Sequence, residues 1–353
     1  MRDVALARTP DFSPSLVTPP PQQRTPPPLP APRVRPLPTW SHLPAANSAP
    51  SEYDLAMDEP TDHGGAPFEL DPELFLNRWH RRYREGSALV LPERFRDPDA
   101  LTFTTYATIQ AEQEIHVSRL LDHHHEIDHD AALAPLWRSA LARWYTPARY
   151  ARHALSMGAA YAGQMAPSVA IANCLFFQAA DESRIVDTIA YRTAELAHRW
   201  PGYGFARDER AAFESDPIWQ GFRALLEPAL CAWDWAESFV AFTLVAKPAL
   251  DEVMLAQLAC AGAAHGDALL LQLSGSHLRD VERSRRWSAA LVRAVRPLAN
   301  NRRVVQGWLD RWVPLGDRAM AVYLEGLPGL DHATAARRAQ ADCAAFRNAL
   351  GFR

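Results

Sequence analysis

Residues Ala154–Ala180 read ALSMGAAYAGQMAPSVAIANCLFFQAA and contain no Asp, Glu, Lys, Arg or His. A helix of this length could span a lipid bilayer. The content argues against a membrane span, because Gln164, Asn173 and Gln178 would lie in lipid without partners and Pro167 interrupts the run. The pattern instead predicts two consecutive core helices that meet at Pro167 and are almost completely covered by other protein.

The sequence around this run predicts an all-α protein. β-Branched runs are few, and no alternation typical of strands lasts more than a few residues. Proline, glycine and polar runs mark the predicted helix ends, and Pro248 is predicted to break a long helix. The predicted helices, which together form a bundle, cover residues 72–84, 101–125, 132–144, 147–166, 167–199, 218–246, 249–264, 267–295, 300–312, 314–324 and 333–350.

Composition divides the chain into four segments. Residues 1–38 are predicted to be disordered, since 14 of the 29 prolines lie in residues 1–50. Residues 39–68 carry aromatic and acidic residues without periodicity, which predicts an extended arm that orders by docking on a partner. Residues 69–327 are predicted to form the helical domain and residues 328–353 a helical tail.

Charge and cysteine content favour a cytoplasmic protein that does not bind nucleic acid. The net charge is -4, so no basic surface for nucleic acid is indicated. The four cysteines are far apart and predict free thiols in a reducing compartment, and the N-terminus has no secretory signal pattern. Lys247 is the single lysine among 37 basic residues, which we attribute to coding bias.

Two short motifs raise the possibility of a metal site. A di-iron bundle takes one Glu from each of two helices and Glu-x-x-His from each of two others. This chain has Glu126 with His129, and Glu195 with His198. The first pair lies in the polar run DHHHEIDHD at a helix end, and the second closes a helix on the side opposite its apolar face. Both positions are typical of solvated or partner-facing residues, so the chain is predicted to bind no metal.

Glu182 is better placed for a core site, because it follows the uncharged run on the inward side. The residue three positions later is Ile185 and not His, and the segment DVERSRRW (residues 280–287) likewise lacks a His for its own pair. We therefore expect Glu182 to pair with an arginine such as Arg184 or Arg192, or with a neighbour that the sequence does not identify. No catalytic or cofactor-binding residue is predicted.

Several long segments resemble one known family. They are YARHALSMGAAYAGQMAPSVAIANCLFFQAADESR (residues 150–184), TWSHL and PSEYDLAM (39–43 and 50–57), WQGFRALLEPALCAWDWAESFVAFTLVAKP (219–248), RDVERSRRWSAALVRA (279–294) and GWLDRWVPLGDRAMAVYL (307–324). Residues 39–324 resemble the β subunit of bacterial multicomponent monooxygenase hydroxylases, in the toluene monooxygenase branch. Residues 1–38 and the region from about residue 328 lie outside the resemblance.

The resemblance implies a ferritin-like helical bundle with an extended N-terminal arm. It implies a structural, non-catalytic subunit of a hydroxylase with two copies each of α, β and γ, in which the α subunit holds a carboxylate-bridged di-iron centre. A reductase and a Rieske-type ferredoxin would supply electrons, and a small effector protein would regulate the complex. The complex would use O₂ and NADH to hydroxylate an aromatic hydrocarbon or to epoxidise an alkene, and the α subunit would select the substrate.

Two alternatives remain at this point. The chain could be a self-contained di-iron bundle oxygenase that uses Glu126, His129, Glu195 and His198. It could also be a helical scaffold unrelated to oxygenation.

Overall fold

The computed structural model describes residues 49–58, 75, 78, 82 and 86–352, all of which belong to one compact unit. These residues form helices and contain no strand, which confirms the all-α prediction. The helices are α1 (Glu52–Asp58), α2 (Phe103–Glu126), α3 (Pro135–Ala140, continued by a π-helical turn at Leu141–Tyr145), α4 (Ala148–Met165), α5 (Val169–Arg199), α6 (Glu209–Ser215), α7 (Pro217–Ala229), α8 (Trp235–Phe239, continued to Ala264), α9 (Ala268–Val295), α10 (Asn301–Leu324) and α11 (His332–Ala349).

The uncharged run forms two helices, as the sequence predicts. α4 ends at Met165, and α5 begins at Val169 after a short connection that contains Pro167. The two helices run antiparallel and in contact along their length, since Ser156 lies beside Ser183 while Gly163 lies beside Leu175. They form one half of a four-helix arrangement whose other half is α8 and α9.

The main hydrophobic core lies among these four helices and extends to α7, α10 and α11. Its largest fully buried side chains include four tryptophans, Trp137, Trp219, Trp235 and Trp312. α2 packs on the outside of α5 and α9 through its own small clusters, one of which joins Val117 and Leu121 to α9. The bundle therefore has a thick apolar core, and any buried charge in it needs a partner.

The predicted break at Pro248 is wrong. The break lies at residues 230–234, where Asp234 caps the first turn of α8 by accepting a hydrogen bond from the Ala236 N–H. α8 then runs through Pro248 to Ala264 and contains two π-helical segments, Val240–Ala246 and Glu252–Leu258. Because the wider π turn ends just before Pro248, the proline ring and its missing N–H are accommodated without ending the helix.

The predicted break at Pro314 is also wrong, since α10 is one helix from Asn301 to Leu324. Pro314 lies on the exposed side of α10, where a carbonyl that loses its helical donor can bind water. The neighbouring Trp312 is fully buried, and this packing holds the helix together across the proline.

The N-terminal predictions are only partly covered by the described residues. Residues 1–38 and most of the predicted arm lie outside them, as does most of the helix predicted over 72–84, of which residues 75, 78 and 82 are helical. Within the arm, α1 is a helix and not an extended segment. Its Tyr53 is buried against the bundle and accepts a hydrogen bond of 3.0 Å from the Asp97 N–H, so this part of the arm docks on its own chain.

The C-terminal tail forms α11 and packs into the main core, where Ala339 and Cys343 are fully buried. Among the described helices, none is both long enough and apolar enough to cross a membrane.

Candidate functional site in the bundle core

Four charged residues meet at the centre of the bundle, and we call them the core ion cluster: Arg152, Glu182, Lys247 and Asp251. Arg152 is the one charge on the buried side of α4, and Glu182 follows the uncharged part of α5. Lys247 and Asp251 lie four residues apart on α8, between its two π-helical segments. Side chains at this spacing lie on the same side of a helix, so both point to α4 and α5.

The cluster is a closed ring of ion pairs. Arg152 Nη1 lies 3.0 Å from Glu182 Oε2 and 2.5 Å from Asp251 Oδ1. Lys247 Nζ lies 2.6 Å from Glu182 Oε1 and 3.0 Å from Asp251 Oδ2. All four side chains are at most 4% exposed, and the two positive and two negative charges cancel. The cluster joins three helices without leaving net charge in the apolar core.

The ring keeps its members ionised. Burial raises the pKa of the Asp251 carboxyl, but the charges of Lys247 and Arg152 outweigh it and the net shift is downward. Burial lowers the pKa of the Lys247 ammonium, but the carboxylates of Asp251 and Glu182 outweigh it and the net shift is upward. Each ion therefore depends on the others to remain charged inside the protein.

The fourth helix, α9, brings His277 next to the ring. This imidazole is buried, and burial lowers its pKa to about 3, so it is neutral at neutral pH. Its Nδ1 has no hydrogen-bond partner among the described residues. It lines a cavity of about 10 Å³ together with Ile185 and Tyr145. A cavity of this size has room for a single water molecule.

A second polar cluster, which we call the α2 ion cluster, ties α2 to the bundle. Asp181 of α5 and Asp280 of α9 share the Nη2 of Arg283, which lies 3.0 Å from Asp280 Oδ1. Gln110 of α2 donates to both carboxylates, at 3.2 Å to Asp181 and 3.0 Å to Asp280. Tyr106 of α2 donates to Asp181 at 2.9 Å. Arg184 is a further cation at Asp280, at 3.0 Å.

Asp181 gives the α2 ion cluster a pH dependence. Burial and the nearby Asp280 charge raise its pKa from 3.8 to about 7, against the opposing effect of Arg283. The folded state thus holds this proton more tightly than the unfolded state, and stability falls as the pH rises from about 4 to about 7. Asp181→Asn should remove this contribution. As the pH rises across that range, we expect the unfolding free energy of the variant to increase relative to that of the natural chain.

Urea unfolding followed by circular dichroism at several pH values between 4.5 and 8 measures this difference. Asp187→Asn is the matched control, because Asp187 is an exposed residue of the same helix and its curve should run parallel to that of the natural chain. A constant difference between Asp181→Asn and the natural chain at all pH values would contradict the expected titration.

The donor set of the core ion cluster does not fit a metal pair. Iron ligation would need the carboxylate oxygens that already accept from Arg152 and Lys247, and two fixed cations would face the metal ions. Ile185 is buried beside Glu182 and offers no ligand atom. Among the described residues, no group of three or more His, Cys, Asp or Glu side chains could hold a metal ion. What this arrangement can do chemically is fix three helices against one another.

The four sequence candidates lie away from the core ion cluster. Glu126 is exposed at the end of α2, and His198 is exposed near the end of α5. His129 Nδ1 lies 3.0 Å from Asp130 Oδ1, and Glu195 lies 3.4 Å from Arg192, which also binds Asp130. The structure thus links His129 and Glu195 through one largely buried ion-pair network, so these two residues are less exposed than the sequence predicts, and it leaves Glu126 and His198 outside that network.

Glu182 does pair with an arginine, as expected, but the arginine is Arg152 and not Arg184 or Arg192, and Lys247 is its second partner. Arg184 pairs with Glu114 and Asp280, and Arg192 pairs with Asp130. The sequence did contain a signal for one true partner, because Lys247 stands between the apolar stretches VAFTLVA and PAL. A single lysine inside a long apolar stretch indicates a buried ion pair better than it indicates coding bias.

The comparisons with known proteins agree with this architecture. Residues 77–296 match the family described as methane/phenol/alkene hydroxylase. The β subunit of the hydroxylase component of the toluene-4-monooxygenase system of Ectopseudomonas mendocina is 40% identical over 298 residues, which cover 83% of this chain and 91% of that protein. The oxygenase component of phenol 2-monooxygenase of Pseudomonas sp. (strain CF600) is 32% identical over 134 residues, 36% of this chain and 40% of that one.

Two solved structures are also similar. A toluene 4-monooxygenase structure with toluene bound in the resting active site matches with a TM-score of 0.78 and 40% identity, over 83% of this chain and 98% of that chain. The phenol hydroxylase of Pseudomonas sp. OX1, studied under xenon pressure, matches with a TM-score of 0.73 over 87% of this chain and 92% of that chain. At 18% identity, the second match shows the fold alone.

The ferritin-like helical fold and the family are thereby confirmed, and the chain belongs to the methane/phenol/alkene hydroxylases. Within that family it belongs with the β subunits of toluene-monooxygenase-type hydroxylases, as the resemblance implied. It is therefore a component of an oxidoreductase with several kinds of subunit. Neither a self-contained oxygenase nor a scaffold unrelated to oxygenation is favoured by these similarities.

Proposed function

We propose that this chain is a non-catalytic subunit that supports a di-iron α subunit in an O₂- and NADH-dependent hydroxylase for aromatic hydrocarbons. The observation that carries the proposal is the core ion cluster. Arg152 and Lys247 bind both inward carboxylates of the cluster, so this bundle is built for rigidity and not for metal chemistry. The names of the similar proteins refer to toluene and phenol, which supports an aromatic substrate.

In this proposal the complex is cytoplasmic and contains two copies each of α, β and γ. A Rieske-type ferredoxin delivers electrons, and a small effector protein regulates the assembled hydroxylase. The contribution of this chain is to hold a stable bundle next to the α subunit. The substrate pocket lies in α, and product analysis of the reconstituted complex with toluene, phenol and a small alkene identifies the preferred substrate.

The iron content of the separated subunits tests the proposal. We expect this chain, expressed alone and purified, to contain far less than one iron per chain. The αβγ complex should contain one di-iron centre for each α chain. Metal analysis by plasma mass spectrometry measures both. Stoichiometric iron in the isolated chain, bound through carboxylates, would contradict the proposed structural role.

A double variant provides the control for the alternative ligands. Glu126→Gln with His198→Gln changes two exposed residues and should not affect folding. Iron content and activity of the complex should stay unchanged in this variant. A loss of iron would instead point to the self-contained oxygenase.

A further inference from the structure

The small cavity beside His277 lies between α5, α8 and α9, next to the end of α3, and its volume is about 10 Å³. Most of the residues that line it are apolar. Three polar side chains also line it, those of Tyr145, Ser274 and His277, and we call them the polar lining residues. None of the described residues around the cavity is an Asp, Glu, Lys or Arg, so the site offers hydrogen bonds and no charge.

The polar lining residues reach the cavity from two distant parts of the chain. Tyr145 is the last residue of the π-helical turn that continues α3. Ser274 and His277 are three residues apart on α9, a spacing that places both on the same side of the helix. Tyr145 is 5% exposed, and Ser274 and His277 are each 3% exposed. Bulk solvent therefore does not satisfy the hydrogen-bonding groups of these side chains.

The polar lining residues also lack hydrogen-bond partners in the part of the chain that the structure describes. His277 Nδ1 has none, and no side-chain hydrogen bond joins Tyr145 or Ser274 to another described residue. Other buried tyrosines are satisfied, since Tyr323 donates to the carbonyl oxygen of Trp144 at 2.9 Å. Buried polar groups in native proteins nearly always have a partner, which is either protein or ordered water.

A water molecule matches both the size and the chemistry of the cavity. About 10 Å³ is the room that one water needs, and an internal water needs two to four polar partners. Burial lowers the pKa of His277 to about 3, so the neutral imidazole has one ring nitrogen that accepts a hydrogen bond. The hydroxyls of Tyr145 and Ser274 can each donate and accept. A cavity with apolar walls alone would instead stay dry.

We propose that one ordered water molecule occupies this cavity and bridges Tyr145 of α3 to Ser274 and His277 of α9. The Tyr145 O–H donates to the water, the water donates to a ring nitrogen of His277, and the Ser274 hydroxyl completes its shell. The inference concerns this chain alone and is independent of the proposed function.

The water site lies close to the core ion cluster. Ile185, which lines the cavity, follows Glu182 by three residues on α5, and Met254 follows Asp251 by three residues on α8. The core ion cluster itself contains no residue of α3 or α9. The water thus adds a polar link between these two helices at a level of the bundle where the ion pairs hold α4, α5 and α8.

Tyr145→Phe tests the proposal because phenylalanine keeps the ring and removes only the hydroxyl. With water present, the variant loses a hydrogen bond, and its unfolding equilibrium constant should rise by about fivefold. In a dry cavity, the natural hydroxyl would be buried without a partner, so its removal would lower that constant. Urea unfolding of the full chain measures the change, and a constant that falls or stays the same would overturn the proposal.

Tyr191→Phe is the matched control, because Tyr191 is an exposed tyrosine of α5. Its unfolding constant should stay within about twofold of that of the natural chain. A rise as large as that of Tyr145→Phe would show that the loss does not come from the cavity, and would also overturn the proposal.

A crystal structure of the natural chain that shows ordered water identifies the occupant directly. We expect one peak in the cavity, at about 2.7–3.2 Å from polar atoms of at least two of the polar lining residues. An empty cavity, or direct hydrogen bonds from these side chains to other protein groups, would contradict the proposed water site and leave the proposed function intact.

Discussion

Arg152→Met should lower the free energy of unfolding of this chain by about 3–5 kcal/mol, the usual cost of breaking a buried ion pair from one side. Arg152 is fully buried and binds Glu182 and Asp251 at 3.0 and 2.5 Å. Methionine fills much of the same space but leaves two buried carboxylates with only Lys247 to neutralise them. Urea unfolding of the isolated chain, followed by circular dichroism, measures the loss.

Two further variants separate the charge effect from the packing effect. Arg318→Met removes an exposed arginine and should change stability by no more than about 0.5 kcal/mol. Replacing all four cluster residues by apolar residues of similar size should recover most of the stability, because no unpaired charge then remains. A loss of unfolding free energy below about 1 kcal/mol in Arg152→Met would contradict the view that the core ion cluster excludes water and that each of its charges needs the others.

The helices were predictable from the sequence because they depend on local patterns. Periodic apolar residues place α2, α5 and α9 within a few residues of their observed ends. The errors at Pro248 and Pro314 have a different origin, since a proline ends a helix only if its missing hydrogen bond and its ring are not accommodated. A π-helical turn before Pro248 and solvent beside Pro314 accommodate them, and both depend on tertiary structure.

The core ion cluster could be predicted only in part. Glu182 follows the uncharged run closely enough for its inward position to be inferred, and the structure buries it completely. Arg152, Glu182 and the pair Lys247–Asp251 lie on three separate stretches of chain, up to 99 residues apart in their contacts. No local motif joins these three stretches. Glu-x-x-His, in contrast, is a local motif, and it occurs here at two helix ends by chance.

The same limit applies to the outer side of α4 and α5. The sequence predicts almost complete burial of residues 154–180, whereas the structure leaves Met157 and Phe176 42% and 43% exposed. Periodicity identifies the inward side of each helix, but it does not fix how much of the outer side is covered.

Gly221→Ala should lower the free energy of unfolding by about 1–3 kcal/mol, although alanine favours a helix. α7 and α10 cross at this glycine, and an added Cβ would lie 2.7 Å from the Cα of Ala319. The obstacle is backbone, so no change of side-chain rotamer relieves it and the two helices must separate. Urea unfolding measures the loss, with Gly275→Ala as the control.

Gly275 lies in α9 with no atom within 4 Å of an added Cβ, so its replacement by alanine should raise stability by about 0.5–1 kcal/mol. The opposite signs of the two glycine variants separate close helix packing from helix propensity. In Gly221→Ala, the movement of α10 away from α7 should also affect the core. α10 packs Gly316 against Val245, with only 2.9 Å between an added Cβ and Val245 Cγ1. Val245 lies in the π-helical segment that precedes Lys247, so moving α10 disturbs the segment that positions the ring of ion pairs. Equal stabilities for the two glycine variants would show that α7 and α10 do not cross this closely.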